Sequence, residues 1–142
     1  DETSRPAFRD RCRRAKLDAD SGIAHVYLIF SFETGRLLGG ITLGNIRSGV
    51  SQSAQIGYWM GEKHAGKGYM QEAVTCLSNH AFANLKLHRL EAACIPDNER
   101  SVRVLQKCGF RQEGLLKSYL KINGKWEDHL LFARISGETE TQ

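Results

Sequence analysis

Nothing in this chain is built for export or for a bilayer. No run of about 18 apolar residues occurs, and the opening Asp1-Glu2-Thr3-Ser4-Arg5 lacks the shape of a signal peptide. The expectation is a soluble, unexported, cytoplasmic protein with no membrane partner. The four cysteines, Cys12, Cys76, Cys94 and Cys108, show no Cys-x-x-Cys spacing. That speaks against a redox pair or a zinc ribbon, and three of them lie in apolar segments, as buried thiols in a reducing compartment do. His25, His64, His80, His88 and His129 are not at metal-ligand spacing either, so no metal is expected. The one glycine-rich loop lacks the third glycine and the ribose-binding acid of the dinucleotide fingerprint. It also lacks the Gly-Lys-Ser/Thr ending of a P-loop, because Gly66-Lys67 is followed by Gly68-Tyr69. Both common nucleotide readings fail.

What is present fits one domain over residues 1–142. With 142 residues, 41% hydrophobic and 25% charged, the chain can bury most of its apolar surface in a single core. The formal charge is +4, and a basic surface attracts either nucleic acid or a multiply anionic cofactor. The one dense basic run, with Arg5, Arg9, Arg11, Arg13, Arg14 and Lys16, lies on what reads as a first helix. It is either a solvated face or a source of ribosome affinity.

The pattern alternates helix and strand. Residues 4–20 read as helix, capped by Ser4 with Pro6 in the first turn and ended by Ser21-Gly22. Residues 25–32 are nearly continuously apolar and rich in strand formers, and a turn over 33–36 leads to a second strand over about 37–46. A polar loop over 45–53 precedes a third strand, about 54–60, which delivers the chain to the glycine loop. Met70, Ala73, Val74, Leu77, Ala81 and Leu85 then follow helical spacing. Residues 89–95 alternate like a strand, Leu90, Ala92 and Cys94 sharing one face. Asn98 caps a short helix that Gly109 can close. Strands over 110–122 and 126–135 are joined through Asn123-Gly124, a strong hairpin signal. The tail over 137–142 is polar and expected to fray.

The loop Lys63-His64-Ala65-Gly66-Lys67-Gly68-Tyr69 carries the chemistry. Two glycines one residue apart let backbone N–H groups turn inward with no Cβ in the way. The helix that opens right after them aims its unpaired N–H groups at the same spot. Such a spot binds phosphate.

This segment resembles the pyrophosphate-binding loop of the GNAT N-acetyltransferase superfamily, whose pattern is Gln/Arg-x-x-Gly-x-Gly/Ala. Here it reads Lys63-x-x-Gly66-x-Gly68, the first position keeping only the positive charge. A second block, Asn98-Glu99-Arg100-Ser101 with Leu105 and then Lys107-Cys108-Gly109-Phe110, is similar to the family's later Asn-x-x-Ser/Ala…Gly-Phe signature. Ile56-Gly57-Tyr58-Trp59, Gly68-Tyr69-Met70-Gln71-Glu72-Ala73 and Asn123-Gly124-Lys125-Trp126-Glu127-Asp128-His129 look like its RimJ/RimL branch, which acetylates the N-termini of ribosomal proteins. The resemblance implies an α/β (α+β) fold. Its sheet is mixed but mostly antiparallel, splayed at a central parallel pair, with helices on both faces. It also implies a strand and a helix before the first ones read here, so the domain is expected to start late. Residues 25–32 would then form an exposed apolar edge that a missing strand or a partner should cover.

The resemblance further implies acetyl-CoA as co-substrate and a protein N-terminus as acceptor, with ribosome contact and a homodimer as open partners. It assigns Trp59, Met60, Gly61, Lys63, Ala65, Gly66, Lys67, Gly68, Tyr69, Met70, Asn98 and Ser101 to the cofactor. The reaction needs a deprotonated amine, a stabilised oxyanion and a proton for the departing thiolate. The tyrosine acid of many relatives would fall at Leu105, so the catalytic candidates are Ser101, then Tyr119, with Asn98 both helix cap and pantetheine contact. Relatives often carry a glutamate before the loop, but Ser51-Gln52-Ser53-Ala54-Gln55 holds no carboxylate. Glu91 and Asp128 remain as bases, equally readable as surface charges, and no base is assigned. Three functions stay open: an N-terminal protein acetyltransferase, a small-molecule acetyltransferase acting on a polyamine, amino sugar or amino acid, and a non-catalytic basic module that binds RNA or ribosomes.

Overall fold

The computed structural model describes residues 24–137 and the backbone of 16–18. Its elements in chain order are β1 (Lys16–Asp18), β2 (His25–Phe30), β3 (Leu37–Arg47), β4 (Ser53–Met60), a single 3₁₀ turn (Glu62–His64), α1 (Tyr69–Ala83), β5 (Arg89–Cys94), α2 (Glu99–Lys107), β6 (Arg111–Ile122) and β7 (Lys125–Ile135). The described strands form one seven-stranded sheet in the order β1-β2-β3-β4-β5-β7-β6. Every neighbouring pair is antiparallel except β4 with β5.

That parallel pair sets up the site. β4 and β5 share only three rungs, Ser53 with Arg89, Ala54 with Leu90 and Gln55 with Glu91. Beyond them β4 stays with β3 as far as Met60, and β5 stays with β7 as far as Cys94. The two strands therefore part, and the sheet opens along its middle.

The register places Tyr27, Ile41 and Tyr58 in one row across β2, β3 and β4, with Leu43 and Ile56 in another. Leu90, Ala92 and Cys94 continue the same face on β5, opposite Phe132 and its β7 neighbours. These residues form one buried cluster with Met70, Ala73, Val74, Leu77 and Ala81 of α1 and Leu105 of α2. Both described helices thus cover one face of the sheet. No described helix is long and apolar enough to cross a membrane.

α1 begins at Gly68 with no capping side chain. With glycine at the N-cap, forgoing a capping side chain costs only about a few tenths of a kcal/mol, whereas burying a Val, Leu or Met side chain contributes about 1.5–3 kcal/mol each. The core-facing stripe therefore holds the helix and leaves its N-terminus bare. α2 is closed at both ends. Asn98 Oδ1 accepts from Ser101 N at 3.2 Å. At the other end Gly109 turns to φ +89° while Phe110 N and Gly109 N bond back to the carbonyls of Leu105 and Gln106. Asn123 and Gly124 both take positive φ between Ile122 and Lys125, as a tight hairpin of primed type requires.

Three expectations are corrected here. Residues 16–18 do not continue a helix from residue 4; they pair as a strand with β2, Lys16 opposite Tyr27 and Asp18 opposite His25. The reason is tertiary, because the free N–H and C=O row of β2 offers a ladder that local propensity does not reveal. β2 is accordingly not an open edge along its first half. The rest of the expected first helix, Cys12 and the tail over 138–142 lie outside the described residues. Leu85, expected in the stripe of α1, lies beyond its end and is exposed.

Candidate active site

A cleft of about 530 Å³ lies where β4, the glycine loop, α1 and α2 meet. At one end are Gly66 and Gly68, with φ of +79° and +85°. A Cβ built on either glycine would have nothing within 4 Å, so the space over the loop is free for a ligand. The first intrahelical bond of α1 runs from Glu72 N to Gly68 O. The amides of Tyr69, Met70 and Gln71 precede it, and no side chain caps them. Bare amides, the positive end of a helix dipole and open glycines together fit a pyrophosphate.

At the other end Tyr58 and Ser101 meet, their hydroxyl oxygens 2.6 Å apart. Ser101 is positioned by the Asn98 cap at the start of α2, and Tyr58 by the last stretch of β4, after β5 has left it. Burial pushes the Tyr58 phenol up to about 12, against a smaller opposing effect of the Ser101 hydrogen bond. Burial likewise raises the Cys94 thiol, which Ser101 also contacts. The orientation of α2 fixes the order of these features. Cys108 Sγ, just past its C-terminus, lies 3.4 Å from the Gln71 carbonyl in the first turn of α1, and Ser101 lies roughly 10 Å back along the helix at about 1.5 Å per residue. The cleft thus runs from the open glycine loop to the part-buried hydroxyl pair, and Arg100, Arg103 and Lys107 line it along α2.

A second cleft, of about 310 Å³, opens where β4 and β5 part. β4 contributes Gln55, Ile56 and Gly57 to it, β5 contributes Glu91, Ala92 and Ala93, and Tyr119 and Leu120 close it from β6. β4 therefore runs through both clefts, with Tyr58, Trp59 and Met60 in the first. Trp59 lies against Gly40 of β3, where a Cβ would come within 2.6 Å of the indole Nε1.

Of the residues expected at the cofactor, Trp59, Met60, Ala65, Gly66, Gly68, Tyr69, Met70, Asn98 and Ser101 line the first cleft. Gly61, Lys63 and Lys67 do not. Gly61 spends its N–H on the Leu38 carbonyl at 2.8 Å and its carbonyl on His64 N at 2.9 Å, while Lys63 and Lys67 are exposed. Tyr119 lies in the second cleft, away from Ser101, edge-on to His129 at 5.6 Å between ring centroids. Of the two carboxylates weighed as bases, Glu91 lines that second cleft. Asp128 lines neither cleft; it accepts from Ser118 N at 2.8 Å and lies 3.3 Å from Lys117 Nζ, and the Ser118 bond in particular holds its carboxyl below the usual range.

Tyr58, Gln71 and the basic residues of α2 are site residues that sequence reasoning passed over. For Tyr58 the only signal was a polar-tipped aromatic at the loop end of a strand whose other inward positions, Ala54 and Ile56, are purely apolar. For α2 it was the spacing of Arg100, Arg103 and Lys107, which falls on one helical face.

A mixed, mostly antiparallel sheet splayed at its one parallel pair, with an open glycine loop at the junction of the central strand and the next helix, defines an N-acetyltransferase type of fold. The chain belongs to the acetyltransferase (GNAT) domain family, whose model matches residues 1–111. It is 46% identical over 112 residues to the probable N-acetyltransferase YjcK of Bacillus subtilis, covering 79% of this chain and 62% of that protein. It is 35% identical to the ribosomal protein uS5-alanine N-acetyltransferase of Escherichia coli, covering 79% and 58%. The chain thus spans somewhat under two thirds of the length of these relatives. Among solved structures, Mycobacterium smegmatis RimJ in complex with CoA-disulfide superposes with a TM-score of 0.79 at 28% identity, over 100% of this chain and 82% of that one.

Proposed function

We propose that this domain transfers an acetyl group from acetyl-CoA to an amine, the preferred acceptor being the N-terminal α-amine of a protein that begins with Ala or Ser. The observation that carries this reading is the order of features in one cleft: open glycines and bare helix amides at one end, the Tyr58–Ser101 pair at the other. In it the loop and the first turn of α1 hold the pyrophosphate, the wall of β4 and Asn98 orient the pantetheine, and the thioester lies beside Ser101. The amine comes from the second cleft, through the gap between β4 and β5.

The pKa values decide what the hydroxyl pair does. A thiol leaves with an ordinary pKa of about 8.5, while the Tyr58 phenol stands at about 12. Handing a full proton to the thiolate would run uphill by roughly 5 kcal/mol. The pair therefore works as a hydrogen-bond donor: Tyr58 donates to Ser101 Oγ and Ser101 donates to the sulfur, so that the C–S bond breaks to a stabilised thiolate as the C–N bond forms, and the proton the amine sheds passes to solvent water, from which the thiolate is neutralised.

The acceptor follows from amine chemistry. An α-amine titrates near 7.7–8.0 and a lysine near 10.4, so at about pH 7.5 the terminal amine offers roughly 200-fold more of its neutral form. A site without a carboxylate on β4 favours it. The name of the Escherichia coli relative, a uS5-alanine acetyltransferase, supports the same choice and makes a ribosomal protein the leading partner.

The test is a panel of acceptors read by CoA release, with the acetyl group located by mass spectrometry. Peptides starting with Ala or Ser should react, and spermidine and internal lysines should not. Comparable rates on spermidine or lysine would move the function to small molecules. Absence of saturable acetyl-CoA binding would leave only a non-catalytic module.

A further inference from the structure

The second cleft contains a carboxylate, Glu91, that is not left to find its own position. Arg89 Nε donates to Glu91 Oε2 at 2.7 Å, and Arg89 Nη1 and Nη2 donate to the two oxygens of Glu113 at 3.1 and 2.5 Å. Arg89 and Glu91 are alternate residues of β5 and point to the same face, away from the helices. Glu113 belongs to β6, and β7 lies between the two strands.

Two features let it reach across. Gln112 pairs with Phe132 and Gly114 with Leu131, so Glu113 is the extra residue of a β-bulge, the device that re-aims a side chain out of a regular ladder. The β7 residue beneath the bridge is Ala133, which partners both Glu91 and Arg111 and is fully buried. A methyl group leaves room for a guanidinium and a carboxylate to meet above it.

The two-point contact fixes the plane of the Arg89 guanidinium, because a forked pair specifies orientation as well as distance. Its strength shows in both partners: hydrogen bonding raises Arg89, and Arg89 holds the Glu113 carboxyl below its usual range. With both Nη groups committed to Glu113, Arg89 presents only Nε to Glu91 and takes one oxygen. The other oxygen is left to a ligand in the cleft. Freed from Glu113, the guanidinium could instead turn its fork on Glu91 and occupy both.

We propose that Glu113, acting through Arg89, positions Glu91 as the contact for a primary amine in the second cleft, so that the β6 bulge is part of the acceptor site. This rests on the acetyl-transfer reading. Arg89 and Glu113 are positioning residues that touch no substrate.

The experiment compares wild type, Glu113→Ala, Glu91→Ala and the double variant, using an Ala-initiated peptide as acceptor. Acetyl-CoA affinity is measured separately by calorimetry. Glu113 is well exposed, so the fold should survive, and Glu113→Gln serves as a second variant of near-identical shape. Glu113→Ala should raise KM for the peptide by roughly fivefold or more, with acetyl-CoA affinity and melting temperature nearly unchanged. In the Glu91→Ala background the same change should have almost no further effect, because Glu113 acts only through Glu91. A KM for Glu113→Ala within about twofold of wild type overturns the proposal. So does a Glu113 effect that persists at full size without Glu91. If wild type binds acetyl-CoA yet acetylates no amine in the panel, the acetyl-transfer reading falls and the positioning role falls with it.

Discussion

Tyr58 and Ser101, 43 positions apart in the chain, bring their hydroxyl oxygens within 2.6 Å at the far end of the first cleft from the glycine loop. The contact joins the last free stretch of β4 to the first turn of α2, so it forms only where the sheet has opened. If the pair donates to the departing sulfur as a unit, removing either hydroxyl breaks the same chain of hydrogen bonds. Tyr58→Phe and Ser101→Ala should each lower kcat by roughly 10- to 100-fold with little change in acetyl-CoA affinity. The double variant should lose little more than either single one. Steady-state kinetics on the four proteins, with calorimetry for the cofactor, check this; multiplicative losses would mean that the two hydroxyls act apart.

The raised phenol makes a separate claim about pH. Tyr58 stands at about 12 in the folded protein, against about 10 for an unperturbed tyrosine. Its contribution to stability is therefore fully present below about pH 10 and is lost as pH rises from there toward 12. By about pH 11 the loss should reach roughly 1.4 kcal/mol. Denaturant unfolding at about pH 9 and pH 11 should show wild type losing more stability than Tyr58→Phe, which cancels the other groups that titrate in this range. Because the phenol stays protonated at neutral pH, kcat should carry no alkaline limb from Tyr58 below about pH 10.

Gly68 begins α1 in a left-handed conformation with open space where a side chain would go. An alanine there carries only backbone strain, about 1 kcal/mol. An aspartate adds a negative charge at the site of the pyrophosphate. Gly68→Asp should weaken acetyl-CoA by roughly 100-fold or more while the fold survives, and Gly68→Ala should weaken it much less. Titration calorimetry on both variants separates strain from occupation of the cradle. Unchanged affinity in a folded Gly68→Asp protein would remove the phosphate reading.

These residues also show what the sequence could and could not disclose. The glycine loop, the Asn98 cap and the Asn123-Gly124 hairpin were legible because each is a local conformational demand met by residue type: φ above zero, a side-chain acceptor before a helix, two left-handed residues in a row. Tyr58 was not legible as a site residue. In the alternation of β4 it shares the inward face with Ala54 and Ile56 and reads as core, and nothing local says that β5 has turned away by then. β1 was hidden for the same kind of reason, since its three residues take strand form through pairing with β2. The placement of Tyr119 depends on a register shift between Leu116 and Leu120, where Ser118 turns to φ +45° and donates to Asp128. A bulge of that kind is set across strands and leaves no periodic trace.

The basic wall of α2 yields the last prediction. Arg100, Arg103 and Lys107 line the cleft that the loop and the first turn of α1 open, and Lys107 adjoins Cys108, which contacts the Gln71 carbonyl at 3.4 Å. The C-terminal end of this row therefore lies near the glycine-loop end of the cleft, while Arg100 adjoins Ser101 at the other. Arg103 is partly engaged, 3.8 Å from Glu99 in an exposed pair, which is too loose and too solvated to withhold it from a ligand. If these cations meet the phosphates of CoA, affinity should fall with added salt, and more gently once they are removed. Lys107→Ala should weaken acetyl-CoA by roughly 3- to 10-fold, Arg100→Ala by less, and the Arg103→Ala/Lys107→Ala double variant should flatten the salt dependence. Affinity measured at low and high ionic strength for each protein decides it, with peptide KM at saturating acetyl-CoA as control. A salt dependence identical to that of wild type would show that the row is a solvated face and that the loop holds the phosphates without it.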